Sequence, residues 1–480
     1  MLELAQRPAD QDVQLPSNHT PWTVLILAGA AQFMVILDVT VVNVALPSIA
    51  RDLRFAPADL QWVVTAYLLM TGGFLLLGGR AADLLGSRSV FMAGLLVFAG
   101  ASLASGLASA PLWLIGSRAA QGFGAALLSP AALSIVTAAY SGEQRTRALS
   151  VWGAIGAGGA AAGVLLGGVL TSYLGWRSVF FINVPVGLVA AAFALRVAPR
   201  MRGTAASWRD LDLGGALTVV SGLALLVYSV ESTTSFGWGS PRILALFAPA
   251  AVLLAAFFVI EHWARRPLIS PDIWRVRSLI SSAVVQLGAT GILIGAFFLN
   301  SLLLQNLVAA SPLETGLAFL PLVVVTGIAA HIGPRLLMRI GSRSTVVAGL
   351  LVMASGDLLL ARTPAQAAYF IDLFPAFLLL GFGVGLTFVS VTVTAMSDVH
   401  TGQAGLASGL MTTAHEIGGA FGVSIFSVVA LGAGTEGAVL AQGYRQGALT
   451  GAAIAAVIAL IALASVPAFR PATAEGARLH

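Results

Sequence analysis

WTVLILAGAAQFMVILDVTVVNVALPSI, residues 22–49, is the stretch that decides the fold. As a helix it would be about 42 Å long, at ~1.5 Å per residue, which is enough to cross a bilayer with some tilt. One carboxylate, Asp38, lies near its middle. An acid at bilayer depth costs roughly 2.5–3.5 kcal/mol, so it usually faces a cavity or a partner. Asp38 is therefore either a functional titratable group or an acid held in a structural hydrogen bond.

Helical spacing assigns the neighbours of Asp38 to faces of this span. Met34 falls on the same face as Asp38, and Asn43 falls on another face together with Gln32. We take Met34 and Asn43 as candidates for lining a substrate cavity.

The composition excludes a soluble fold. Of 480 residues, 58% are hydrophobic and 9% charged, whereas soluble domains carry about 25% charged residues. The 53 glycines fit close packing of spanning helices. The absence of cysteine excludes disulfides and thiolate chemistry. No catalytic constellation or metal-ligand spacing is present, so we expect no enzyme activity and no cofactor. The net charge of +5 follows membrane topology and does not indicate nucleic-acid binding.

Fourteen apolar segments could span a membrane. They are residues 22–49, 60–77, 89–109, 112–136, 148–173, 178–197, 211–230, 243–263, 279–305, 315–337, 344–361, 369–395, 405–432 and 446–467. An even number places both termini on one side. With cytoplasmic termini, 18 arginines lie inside, 6 lie outside and Arg118 lies within a span. The positive-inside rule therefore predicts a multi-pass protein of the cell membrane with both termini in the cytoplasm.

An internal repeat divides the chain. Gly-Ser-Arg-Ser follows the second span at 86–89, in a predicted loop, and recurs after the tenth span at 341–344, 255 residues later. Parallel repeats of this kind are typical of transporters. The predicted fold is all-α, with two parallel six-helix bundles and two connecting helices. Its parts are a cytoplasmic disordered tail (1–21), an N-terminal bundle (22–197), a cytoplasmic loop with two inserted helices (198–264), a C-terminal bundle (265–467) and a cytoplasmic tail (468–480).

Four sequence motifs indicate a family. They are Leu37-Asp38-Val-Thr-Val-Val-Asn43-Val-Ala-Leu-Pro47; the stretch 79–88 with Gly79, Asp83, Gly86 and Arg88; Arg118-Ala-Ala-Gln121-Gly122-Phe-Gly124; and the glycine-rich stretch 153–168. Together they resemble the major facilitator superfamily, in particular its fourteen-helix drug:proton antiporters. The resemblance covers nearly the whole chain from Trp22 to about Pro467.

The resemblance implies roles for these residues. It links Arg118 to proton coupling, the 79–88 stretch to conformational switching, and the glycine-rich stretch to exporters. Within that stretch Gly159, Gly163 and Gly167 share a helix face, which allows the close contact that a gate needs. The sequence departs from the family pattern at three positions: Val164 replaces a proline, Leu84 replaces a basic residue and Met338 replaces an acid.

Several further residues could carry chemistry at membrane depth. Arg118 shares a face with Gln121, a further cavity candidate, and would hold a nearby carboxylate ionised; the alternatives are a structural ion pair or an arginine whose head reaches the interface. Glu416, with Thr412 one turn away, could bind a proton or a cationic substrate, or could only pack the bundle. His415 is interpreted as a packing or hydrogen-bonding residue, and Asp357 as structural.

The sequence leaves three functions open. The first is a proton-coupled antiporter that exports amphipathic drugs or antibiotics, cationic ones among them, by alternating access. In it Asp38 and Glu416 take up protons and Arg118 assists their release. The second is a metabolite facilitator or proton symporter of the same fold, and the third is a transporter-like sensor. The expected partners of a monomer are a small-molecule substrate, protons and the lipid bilayer.

Overall fold

The computed structural model describes residues 21–198, 211–237, 239–264, 267–364, 366–431 and 437–469. Within these ranges the secondary structure is helical, without strands. The helices are α1 (Pro21–Leu53), α2 (Trp62–Leu85), α3 (Ser87–Gly106), α4 (Pro111–Ala139), α5 (Gly142–Leu174), α6 (Ser178–Phe181), α7 (Asn183–Val197), α8 (Leu213–Phe236), α9 (Pro241–Trp263), α10 (Arg277–Asn306), α11 (Pro312–Ile340), α12 (Ser342–Leu360), α13 (Phe374–Met396), α14 (Ala404–Leu431) and α15 (Gly437–Ser465).

The fourteen-span prediction is confirmed. Among the described residues, fourteen helical segments are long and apolar enough to cross a membrane. The short α6 and α7 together form the sixth segment, Ser178–Val197, and a π-helical turn at Tyr369–Leu373 leads into α13. The predicted tails lie outside the described residues except for Pro21, which begins α1, and 468–469.

The helices form two six-span groups joined by a pair. Helices α1–α7 pack among themselves, as do α10–α15, while α8 and α9 pack on each other. Across the molecule α2 packs on α14, and α5 packs on α11. Helix α8 touches both α2 and α14. We call the end where α1 ends and α2 begins the outer end, and the opposite end the inner end.

Two predicted segment boundaries are wrong. The stretch 79–85 was expected to belong to a loop, but Gly79 and Asp83 lie in the last turns of α2, which ends at Leu85. Asp83 is exposed, and Gly86, not Asp83, precedes α3. The last helix begins at Gly437 instead of 446, because its polar Gln442 and Arg445 lower the hydropathy of a turn that is exposed at the outer end.

The repeated Gly-Ser-Arg-Ser motif builds the same junction in each half. Gly86 has φ 89° and Gly341 has φ 86°, a backbone conformation that favours glycine. Arg88 donates hydrogen bonds to the carbonyls of Leu195 (2.5 Å) and Ala198 (3.3 Å) at the end of α7. Arg343 donates to Val466 O (2.7 Å) at the end of α15. Each arginine thus caps the last helix of its half, where carbonyls lack helical partners.

Candidate functional site: a buried ion pair and the interface between the halves

The Asp38 carboxylate is paired with Arg118. Nη1 of Arg118 lies 2.5 Å from Oδ2 of Asp38, and the two side chains are 1% and 0% exposed, respectively. Helix α1 supplies the acid and α4 supplies the base, 80 residues later in the chain. Removing one member of a buried pair leaves an uncompensated charge, so the two residues depend on each other.

Amide and hydroxyl groups from three helices complete this pair. Nε2 of Gln121 donates to Oδ1 of Asp38 at 2.7 Å, and Nδ2 of Asn183 on α7 donates to the same oxygen at 2.8 Å. Both amides also donate to Oγ of Ser102 on α3, at 2.6 and 3.2 Å. Nη1 of Arg118 also donates to Oε1 of Gln121 at 2.7 Å. Four helices of the first half are thereby tied to one carboxylate.

Arg118 has further partners besides Asp38. Its Nε donates to the carbonyl of Val63 on α2 at 2.9 Å. Its guanidinium lies 4.3 Å from the ring centroid of Tyr67 and 5.8 Å from that of Phe180. Cation–π contacts of this kind stabilise a desolvated cation by about 2 kcal/mol. The guanidinium therefore has several partners besides the carboxylate of Asp38.

The glycine stripe of α5 packs against α1 beside Asp38. A methyl group on Gly163 would lie 2.9 Å from Leu37 O, and one on Gly167 would lie 2.9 Å from Val41 O. These distances are too short for a side chain, so the two backbones are in contact. The second half repeats the arrangement with Gly418 and Gly422 of α14, which face the backbone of α10.

The two halves are in contact at the outer end. Oγ of Ser301 donates to Asn43 O at 2.6 Å, and Nε2 of Gln305 donates to Val44 O at 2.8 Å, which joins α10 to α1. Helix α5 meets α11 through Ser172, whose hydroxyl accepts from Leu313 N at 3.1 Å.

Glycine faces in the inner parts of the same two helices are exposed. No neighbouring atom lies within 4 Å of the position that a Cβ would occupy on Gly153 or Gly158 of α5, or on Gly327 of α11. The hydrogen bonds between the halves named above lie at the outer end, and toward the inner end α14 still approaches α2, where a methyl group on Gly409 would lie 2.9 Å from Leu76 Cδ2.

Glu416 lies where α14 meets α2. A methyl group on Gly72 would be 2.8 Å from the Cβ of Glu416, so the two helices touch there. The side chain is partly exposed, and its Oε2 is buried without a hydrogen-bond partner. Glu416 and Asp38 belong to different halves and make no direct contact. Tyr67 on α2 lies within electrostatic range of both carboxylates.

A second polar cluster lies beside Glu416. Nδ1 of His415 is 3.1 Å from Nε2 of Gln286 and 3.0 Å from Oγ1 of Thr290, both on α10. The imidazole ring also packs edge-on against Phe388, with centroids 5.7 Å apart. His415 is therefore a hydrogen-bonding residue between α10 and α14.

The predicted cavity residues fall into two groups. Met34, Asn43 and Gln121 are buried, at 2%, 2% and 0% exposure, so in this conformation they face protein. Thr412 and Glu416 are partly exposed. Among the described residues, no three histidine or acidic side chains lie together as metal ligands would.

Sequence reasoning assigned no role to Ser102, Asn183, Tyr67, Gln286 and Thr290. Each is a polar residue within an apolar membrane span, which is a signal that a residue-by-residue reading could have used. Which of them touches the ion pair depends on helix packing.

The fold and the buried pair define a class of protein. Two repeated helical bundles meet along a central interface, with ionisable residues inside the membrane region, as in a secondary transporter. The chain belongs to the Major Facilitator Superfamily, whose family model matches residues 28–423. It is thus a multi-pass membrane transporter and not an enzyme.

Relatives and solved structures agree with this membership. The chain is 40% identical to the puromycin resistance protein pur8 of Streptomyces alboniger, over 86% of this chain and 82% of the relative. It is 37% identical to the cephamycin export protein CmcT of Amycolatopsis lactamdurans, over 98% and 97%. The fold is similar to that of the peptide transporter PepTSo, with a TM-score of 0.67, 15% identity and coverage of 92% and 99%. It is also similar to the nucleoside transporter NupG, with a TM-score of 0.64, 14% identity and coverage of 93% and 100%.

Proposed function

We propose that this protein exports amphipathic small molecules, antibiotics or drugs, in exchange for protons. The observation that carries the proposal is the buried Asp38–Arg118 pair, whose acid also binds Gln121 and Asn183. The relatives named for resistance and export support the direction of transport, although Val164 stands where the exporter motif has proline.

Helix α1 couples the proton site to the closure between the halves. Asp38 lies five residues before Asn43, or about 8 Å along the helix, and the carbonyl of Asn43 accepts from Ser301 of the second half. Protonation of Asp38 removes its charge and weakens the network that joins α1 to α4 and α7. A shift of α1 is then transmitted to the outer contact with α10 and to the glycine stripe of α5.

The moving units in this proposal are the bundles 22–197 and 265–467, with 198–264 connecting them in a monomer. The arginine distribution supports a cell membrane location with both termini in the cytoplasm. The inner end then faces the cytoplasm. Glu416, partly exposed between α2 and α14, provides a negative charge for a cationic substrate.

The variant Glu416→Gln tests whether Glu416 provides the negative charge that binds a cationic substrate. We expect proton-driven uptake into inside-out vesicles to fall at least tenfold for a permanently charged aromatic cation and to change little for a neutral substrate. Proton release on cation binding to the purified protein should fall with it, since both ligands use the same carboxylate. Glu143→Gln is the matched control, because Glu143 is 80% exposed and pairs only with Arg147 at the inner end. Equal losses for cationic and neutral substrates, with proton release unchanged, would leave Glu416 a packing residue.

Export itself is tested with the wild-type protein. Inside-out vesicles with an acidic interior should accumulate puromycin, and collapse of the proton gradient should abolish the accumulation. Downhill movement that ignores the gradient would favour the facilitator alternative.

A further inference from the structure

Asp357 on α12 is a second buried acid, and it has no partner. The side chain is 0% exposed, and neither carboxyl oxygen has a hydrogen-bond partner. A methyl group on Gly451 of α15 would lie 2.7 Å from its Oδ2, so the carboxyl rests against the backbone of that helix. An isolated carboxylate in such a place is costly, and a buried acid without a partner is normally neutral.

The internal repeat shows which position Asp357 occupies. The offset of 255 residues that relates the two Gly-Ser-Arg-Ser motifs also relates Gly94 to Gly349, which contact equivalent helices. The same offset relates Asp357 to Ser102. Ser102 is the hydroxyl that accepts from Gln121 and Asn183 in the first-half network. Asp357 therefore lies at the second-half equivalent of Ser102, which in the first half belongs to the network around Asp38.

The second half lacks the partners that the first half provides. Gly122 of α4 packs on Tyr67 O, and Gly381 of α13 packs in the same way on Leu322 O. These equivalent contacts align α4 with α13, with residue numbers that differ by 259. This places Phe377 and Leu380, 0% and 1% exposed, at the positions of Arg118 and Gln121.

The equivalent of Asp38 is also missing. Gly163 faces Leu37 O of α1, and its counterpart Gly418 faces Leu287 O of α10. These equivalent contacts align α1 with α10, with residue numbers that differ by 250. Gly288 thus stands where the first half has Asp38. At this place the second half has the carboxyl of Asp357, but it lacks an equivalent of the Arg118 and Gln121 that hold Asp38.

Among the described residues, no charged or titratable group on the surrounding helices makes a hydrogen bond with the carboxyl of Asp357. Helix α13 carries none, and on α15 the Arg445 Nε donates to Ala361 O at 3.0 Å, one turn outward. Other such groups near the outer end have partners elsewhere: Glu314 caps α11, Asp372 accepts from Ala368 N, and Tyr369 donates to Ala318 O. Neither Tyr444 nor Arg362 makes a hydrogen bond with the carboxyl of Asp357. A groove of about 530 Å³ lies beside Arg445 and Thr363 at that end of the helix.

We propose that Asp357 is an additional proton-binding site, neutral in this conformation and served from the outer groove. The carboxyl binds its proton without an ion pair, in contrast to Asp38. Its transport consequence rests on the proposed proton exchange: one more proton is moved per cycle than Asp38 and Glu416 account for.

Infrared spectroscopy of the purified protein tests the site without reference to transport. The wild type should show the C=O stretch of an un-ionised carboxyl at neutral pH, and Asp357→Asn, which has nearly the same shape, should lack that component. Leu380→Gln should shift it, because an amide there would reach Asp357 as Gln121 reaches Ser102. Glu143→Gln should leave the spectrum unchanged. Absence of a component that Asp357→Asn removes would overturn the site, and no shift in a folded Leu380→Gln would overturn the equivalence with Ser102.

A second experiment measures how many protons are exchanged per substrate molecule in proteoliposomes. At each imposed proton gradient, it finds the substrate gradient at which the direction of substrate flux reverses. We expect Asp357→Asn to move one proton fewer per substrate than the wild type. An unchanged ratio, with the infrared component lost, would make Asp357 a structural neutral acid. A wild type with no proton flux would refute the proposed exchange while leaving the infrared result intact.

Discussion

Replacing Asp38 with asparagine removes a charge from a site where nothing else balances Arg118 at contact distance. Asp38 accepts three hydrogen bonds, one from Arg118 and two from the amides of Gln121 and Asn183. An asparagine has a single acceptor oxygen, so its amide nitrogen must face a donor on one side. Breaking a buried ion pair from one side costs roughly 3–5 kcal/mol, and we expect a loss of stability in that range.

The double variant Asp38→Asn with Arg118→Gln separates charge from shape. It removes the orphaned cation, so we expect it to be more stable than Asp38→Asn alone by about 2–3 kcal/mol, in the range of coupling between contacting residues. Neither variant should carry out uphill efflux, since both lack the titratable acid.

The assay combines thermal unfolding in detergent with gradient-driven efflux from proteoliposomes. The midpoints should fall in the order wild type, double variant, single variant. A double variant that is less stable than Asp38→Asn would refute the account of the ion pair. Uphill efflux by a folded Asp38→Asn protein would refute the coupling role, whatever the stability.

Two further predictions concern packing and switching. Gly422→Ala places a methyl group against the backbone of Gly291, so we expect it to lower the free energy of unfolding by about 1–3 kcal/mol through overpacking. The control Gly153→Ala has open space around the new methyl group and should be nearly neutral. Equal thermal midpoints for the two variants would contradict the close-packing account. Asp83→Ala should slow turnover and leave substrate affinity nearly normal. The reason is that Asp83 lies at the inner end of α2, about three turns from Gly72, where α2 meets α14. If direct binding shows that affinity falls in step with turnover, Asp83 does not act in switching alone.

The prediction of helices was accurate because the bilayer imposes a simple rule. A span must be long, apolar and internally hydrogen-bonded, and each such segment is visible in composition. The rule is weakest at helix ends, where water can solvate polar side chains. Asp83 was therefore assigned to a loop although α2 continues through it, and the start of α15 was placed nine residues late.

Sequence by itself determined that Asp38, Arg118, Asp357 and Glu416 would be costly residues in need of an explanation. The cost follows from chemistry and depth, which a single chain reveals. Only the tertiary structure decided which groups offset the cost of burying each charge, because the packing of helix faces determines which side chains come into contact. Asp38 receives Arg118, Gln121 and Asn183 from helices far along the chain, whereas Asp357, at a repeat-related position, receives none. Two acids that look alike in sequence thus become a charged pair and a lone carboxyl.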